Sequence, residues 1–206
     1  MSRRLTAAAL ALAAIALSGC ISLFPKSEPA QLYRFTASMP SQTLAPGPGF
    51  GVMRLVTGFP RASAGDRILT INNTGEAAYI AGARWVSPAS VLFDEQLSAA
   101  FHSGGRARLI SRGEVVRADV ALKLDVLTFE TVYDRGPKAA PQVVITVRGV
   151  MTRNRDRSLI GERTFSAQIR AGDNRVGAIV PAYNQALSQV LGEVVGWVNA
   201  EGGSAG

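Results

Sequence analysis

Hydrophobic residues return along this chain with two different periods. From Val120 to Ile169 they alternate, and from Ile179 to Val198 they recur at threes and fours. Val120, Leu122, Leu124 and Val126 alternate with Ala121, Lys123 and Asp125, as in a half-buried strand. The apolar phase then slips by one, to Leu127 and Phe129, which predicts a β-bulge near Leu127. Val143, Ile145, Val147, Gly149 and Met151 form a second alternating strand. Leu159, Gly161, Arg163, Phe165, Ala167 and Ile169 form a third. Between these two, Arg153–Ser158 (RNRDRS) is a polar turn, so the pair predicts a long antiparallel hairpin with one apolar face.

The helical stripe comprises Ile179, Tyr183, Ala186, Leu187, Val190, Leu191, Val194, Trp197 and Val198. Such a stripe must be covered, and the apolar face of the sheet is the available cover. Proline is costly deep inside a helix, so the regular part is predicted to begin near Pro181 and to close at Gly202-Gly203. Upstream, Leu32–Thr36 is a short alternating strand, residues 37–49 form a proline-rich loop, and Phe50–Leu55 is another strand. Ile68–Ile71 and Ala77–Ala81 flank Asn72-Asn73-Thr74-Gly75, a hairpin with turn residues at its centre. Ser87-Pro88 predicts a helix with Ser87 as N-cap, running to about Phe101. Val91, Leu92, Glu95 and Ala99 lie along one side of it, and Gly104-Gly105 ends it. The predicted fold class is α+β: an antiparallel-rich sheet with two main helices packed on one face.

The first residues follow a different logic. Arg3 and Arg4 precede an uncharged apolar run from Leu5 to Leu17. That run suits a secretory signal and is too short to span a bilayer, which takes roughly 20 residues. Leu17-Ser18-Gly19-Cys20 is similar to a bacterial lipobox, which implies cleavage between Gly19 and Cys20 and acylation of the Cys20 thiol. Cys20 is the chain's one cysteine, and an odd cysteine in an exported protein calls for an explanation. A covalent lipid supplies it. Each buried methylene contributes about 0.8 kcal/mol, so two or three chains anchor a protein permanently. Residue 21 is isoleucine rather than aspartate, which favours the outer over the inner membrane, on the periplasmic side of the envelope. The expected organisation is signal peptide 1–19, lipidated tether 20–31, one α+β domain 32–200 and a tail 201–206.

Composition adds limits. A hydrophobic content of 47% is too high for a disordered chain. The formal charge is +7. Without Arg3 and Arg4, 20 basic residues face 15 acidic ones, a net +5, and lysine occurs only at 26, 123 and 138. No run of five like charges marks a nucleic-acid patch, and none is expected for an exported protein. No catalytic or metal-ligating constellation emerges. His102 is the chain's single histidine, with no ligands at metal spacing. There is no Gly-x-Ser-x-Gly elbow and no phosphate-cradling loop. Asp94, Glu95, Asp119, Asp125 and Glu130 fall on predicted strand and helix surfaces. The chain is expected to be no enzyme and to carry no cofactor beyond the lipid on Cys20.

The order of elements carries a family resemblance. A lipobox precedes "LYRF", then "FGVMRLVTGFP", a hairpin, "YIAGARWVSPASVLFDEQLSAAF", long strands, and a terminal helix containing "VVGWVNA". This resembles the ABC-type transport auxiliary lipoproteins, the family of the PqiC-like lipoproteins, over about residues 32–199. Trp85, Pro88, Leu92, Leu97 and Phe101 match its most characteristic stretch. Where the family often has a Tyr-Arg pair, this chain has Asp66-Arg67-Ile68. The resemblance implies a non-catalytic subunit of an envelope transporter that moves phospholipid or another apolar molecule. The implied partners are a membrane, an MCE-domain substrate-binding protein, an ABC permease and its ATPase. A homo-oligomer paired through the 32–36 edge strand is a further expectation. Trp85 and Trp197 are read first as core residues, and Tyr79, Arg84 and Trp85 as the candidate contact surface. The alternative is an envelope assembly or scaffold lipoprotein that binds outer-membrane or cell-wall machinery.

Overall fold

The computed structural model describes residues 29–38, 48–110, 113–114 and 116–203. The signal peptide, Gly19, Cys20 and most of the tether therefore lie outside the described residues.

Eight strands form one sheet. They are β1 (Gln31–Tyr33), β2 (Phe50–Arg54), β3 (Arg67–Asn72), β4 (Ala77–Trp85), β5 (Ala107–Ile110), β6 (Val120–Tyr133), β7 (Gln142–Arg153) and β8 (Leu159–Arg170). The helices are α1 (Arg61–Ala64), α2 (Ala89–Ser103) and α3 (Val176–Gly202). The predicted β7–β8 hairpin is present, and β6 adds to it as a third antiparallel strand. On its other edge β6 has two parallel partners. Its first residues pair with β2 and its last with β3. Gly58 bridges Asp125 between them, so the sheet forks there. β5 lies outside β2, and β4 followed by β1 lies outside β3. Most paired residues are thus antiparallel, while the joints at the fork and the outer pairs β2–β5 and β1–β4 are parallel.

Both main helices cover one face. α3 lies on β7 and β8 and reaches β5, while α2 packs against α3 and β5. Val143, Ile145, Val147 and Met151 turn fully inward. The opposite face is polar: Arg148 bonds Glu162 at 2.7 Å, Thr146 meets Ser166 at 3.0 Å, and Gln142 bonds Gln168 at 2.7 Å. β8 is an outer strand, and charges at Glu162, Arg163 and Arg170 guard that edge against pairing with another chain.

An aromatic cluster fills the upper core. Phe35, Trp85, Phe129 and Tyr183 meet with ring centroids 4.6–6.4 Å apart. Burial pushes the Tyr183 phenol well above its usual range. Its oxygen accepts a bond from Thr131 at 3.1 Å, which satisfies both buried hydroxyls. Lower down, Gly149 and Gly161 open a trough for the indole of Trp197. A Cβ at Gly149 would stand 3.0 Å from Trp197 Cζ3, and one at Gly161 would stand 3.4 Å from Cζ2.

Several sequence expectations need correction. α2 has no side-chain cap from Ser87; Pro88 is the N-cap residue. The Gly65 carbonyl, supplied by the loop after α1, accepts the Ala89 N–H at 2.9 Å instead. The buried side of α2 is Ala89, Leu92, Phe93, Leu97, Ala100 and Phe101, while Val91, Glu95 and Ala99 face solvent. Phe93 and Leu97 outweigh Val91 in apolar area, and their spacing sets the stripe. α3 begins at Val176, five residues before Pro181. Pro181 falls early in the helix, where its missing N–H costs one backbone bond, to the Gly177 carbonyl. The bulge lies where expected, between Val126 and Thr128. Leu127 is the extra residue and points outward, 51% exposed. Leu159 is also exposed, because a second irregularity shifts the register at Thr152. β1 stops at Tyr33. Phe35 turns into the core, and the Thr36 N–H bonds Asn184 Oδ1 at 3.0 Å. β5, four residues long, was not foreseen.

Arg157, at the β7–β8 turn, has φ 60°, a left-handed conformation that favours glycine or asparagine. Arg157→Gly is expected to leave stability unchanged or raise it by up to about 1 kcal/mol. Thermal denaturation of the two proteins side by side checks this.

Candidate functional site

The three candidate contact residues separate into surface and core. Tyr79 is half-buried on β4, and its hydroxyl donates to the Ala62 carbonyl at 3.0 Å. The guanidinium carbon of Arg67 lies 3.8 Å from the centre of its ring, a stacking that contributes about 0.5–1 kcal/mol when exposed. Arg84 pairs across the strands with Arg67 and bonds Asp66 at 2.8 Å. These four side chains form one solvent-facing cluster on the β3–β4 hairpin. Trp85 takes no part in it. It is 2% exposed, with its ring edge-on to Phe35 and Tyr183.

Sequence reasoning noted Asp66-Arg67 only as a departure from the family pattern and did not place the pair in the contact surface. It also missed how the chain enters the domain. Phe35 is buried, Thr36 is held by two bonds to Asn184 at 2.8 and 3.0 Å, and the Val86 N–H bonds the Tyr33 carbonyl at 2.8 Å. The entering segment is thus fixed to the aromatic core through Phe35 and to α3 through Asn184.

The carboxylates singled out in the sequence are mostly occupied with the fold. Asp94 accepts from Thr57 at 2.8 Å and pairs with Arg54 at 3.1 Å. Asp119 caps the Gly51 N–H at 2.8 Å, and Asp125 pairs with Lys123 at 2.7 Å. Glu95 is exposed on α2. Glu130 is partly desolvated beside Val144, its partner on β7, and burial pushes its carboxyl up. Asp134 is held down to about 2, chiefly by its bonds from Arg170 at 2.6 and 2.8 Å. Its folded value is below its unfolded one. The Asp134–Arg170 contact therefore supports the fold above about pH 4 and loses that support as pH falls towards 2. Among the described residues no group of three or more His, Cys, Asp or Glu could hold a metal. No described helix is long and apolar enough to cross a membrane. His102 is exposed near the end of α2.

These features define a one-sheet α+β domain whose chemistry-bearing side chains mostly serve the fold and whose N-terminal segment is clamped into the core. The model of the ABC-type transport auxiliary lipoprotein component family matches residues 33–195, and the chain belongs to that family. It is by that membership an envelope-associated, membrane-anchored lipoprotein that works with an ABC transport system. Among solved structures, protein XCC0632 from Xanthomonas campestris superimposes with a TM-score of 0.75 at 24% identity, covering 84% of this chain and 96% of that one. The hypothetical protein CT253 from Chlamydia trachomatis gives 0.51 at 16% identity, covering 75% and 99%. Both support the fold alone. No curated protein matches the sequence.

Proposed function

We propose that this chain is a non-catalytic docking subunit of an MCE-type ABC system that moves phospholipid or another apolar molecule through the bacterial envelope. The observation that carries this reading is a family match over nearly the whole folded domain, joined to a lipobox that ends at Cys20. The chain from Cys20 to Gln31 spans at most about 36–40 Å when extended. Diacylglyceryl and N-acyl chains on Cys20 therefore hold the domain within that distance of the bilayer. Ile21 directs the anchor to the outer membrane. The ATPase supplies the energy, the MCE protein and permease carry the cargo, and this subunit holds the periplasmic part in place. The Asp66, Arg67, Tyr79 and Arg84 cluster is its candidate contact surface.

Cross-linking in native membranes followed by mass spectrometry tests the reading. Adducts with an MCE-domain protein or its permease are expected. Adducts confined to cell-wall or outer-membrane assembly proteins would replace it with the scaffold alternative. Cys20→Ser is expected to yield an unprocessed or soluble product in membrane fractionation. A processed form of that variant still bound to membranes would contradict the anchor.

A further inference from the structure

The two ends of the domain carry different things. α3 runs between them with 27 residues, roughly 40 Å. At its start, Val176–Ala178 lie beside Gln31 and Tyr33, where the tether enters. At its far end, Gly202 lies against Phe50 and Met151, and Glu201 lies over Gly161 at the start of β8. The β7–β8 turn, Arg153–Ser158, is at this far end.

That turn is built firmly. The Arg153 N–H bonds the Ser158 carbonyl at 2.8 Å, and the Arg157 N–H bonds the Arg153 carbonyl at 2.9 Å. Asn154 ties the turn to the chain before β6, through its N–H to the Asp119 carbonyl at 2.9 Å and its Nδ2 to the Ala118 carbonyl at 3.1 Å. Two neighbouring carboxylates, Asp156 and Asp119, are engaged within the fold. Asp156 accepts from the Ser158 N–H at 3.0 Å and Oγ at 2.6 Å, bonds that hold it below the usual carboxylate range. Asp119 caps Gly51. Arg155, Arg157 and Arg117 remain exposed around them, and Arg155 has only a 3.9 Å contact with Asp156. The turn also keeps Arg157 in the left-handed region, where glycine or asparagine would be less strained. The Arg157 side chain is exposed at that strained position.

We propose that the β7–β8 turn, with Arg117 beside it, is a docking point for an acidic protein surface. An acidic protein fits better than an anionic bilayer because the turn lies at the opposite end of α3 from the tether. Guanidinium groups on a rigid turn also match carboxylates in a fixed, bidentate geometry. The orientation rests on the proposed Cys20 anchor, and the acidic partner is expected to be a periplasmic subunit of the same ABC system.

A photo-cross-linking residue at position 155 of the full lipidated chain, in native membranes, tests this. A second probe at position 138 reports on the tether end. Protein adducts are expected at 155. Their yield should fall at least tenfold in 0.5 M salt and in R117E/R157E, while the unfolding midpoint of that variant stays within a few degrees of the parent. The single variant R157G, which keeps the turn, separates charge from fold and should lower the yield only severalfold. Adducts to phospholipid alone, to a second copy of this chain, or to a protein with a yield indifferent to charge reversal would overturn the proposal, as would no adduct at 155. An ABC subunit captured at 138 but not at 155 sinks this docking point and leaves the transport reading standing. A charge-dependent adduct at 155 with a protein outside any ABC system does the reverse.

Discussion

Trp197→Ala is expected to lower the stability of the folded domain by about 3–5 kcal/mol. The indole is 4% exposed, lies over two glycines of the sheet, and has the Phe165 ring 5.6 Å away. Glycines cannot move side chains into the space that the truncation leaves, so the cavity persists and the cost falls at the high end. The reverse change has its own signature. Gly149→Val drives a branched side chain into the same indole and should cost about 1–3 kcal/mol. Urea denaturation of the mature chain measures both, with an unchanged slope showing that only stability moved. A loss below 1 kcal/mol for Trp197→Ala would mean that α3 is not seated on the sheet as described.

Asn199→Ala is expected to cost about 3 kcal/mol, an unusual amount for removing one small polar side chain. Asn199 is 4% exposed near the end of α3. Its Oδ1 accepts the Ala107 N–H at 2.9 Å, and its Nδ2 donates to the carbonyls of Gly104 at 2.8 Å and Val195 at 2.9 Å. The alanine variant leaves a buried N–H and a buried carbonyl without partners, each worth about 1–3 kcal/mol in lost solvation. Asn199→Asp keeps the acceptor, loses both donors and buries a charge, so it should be no better. Hydrogen exchange supplies the local readout: the Ala107 amide should lose its protection first. Equal protection at Ala107 in both proteins would contradict the contact.

Much of this fold could be read from the sequence, because alternation and the period of 3.6 report burial directly. The β6–β7–β8 meander and α3 are long enough for that signal to dominate. Shorter pieces were legible only where a turn residue marked them, as with Gly75 between β3 and β4. The Ala107–Ile110 strand, four residues between a glycine end and a loop, carries no period. The buried side of α2 was misjudged because Val91 and Leu92 are adjacent and apolar, and only packing against Phe59 and α3 decides between them. The Arg67–Tyr79 stacking and the Asn199 bonds to Ala107 and Gly104 join residues 12 and 92 or more positions apart. Local pattern does not encode such meetings. The clamp of Phe35 and Thr36 was hidden for the same reason, and a short alternating stretch there looked like a continuing strand.

That clamp matters to the functional account. A domain tied by a flexible segment to a loosely packed N-terminus would fray under load. Here the entering segment ends on an aromatic core and on α3, so under the proposed anchoring a load would pass into α3 and the sheet. The proposed lipid on Cys20 would be the other half of the same linkage. Intact-mass analysis of the native protein extracted from its membrane tests it directly. A chain beginning at Cys20 is expected, heavier than the bare polypeptide by a diacylglyceryl group and an N-linked acyl chain. A native chain with a free Cys20 thiol, or one that still carries residues 1–19, would contradict it.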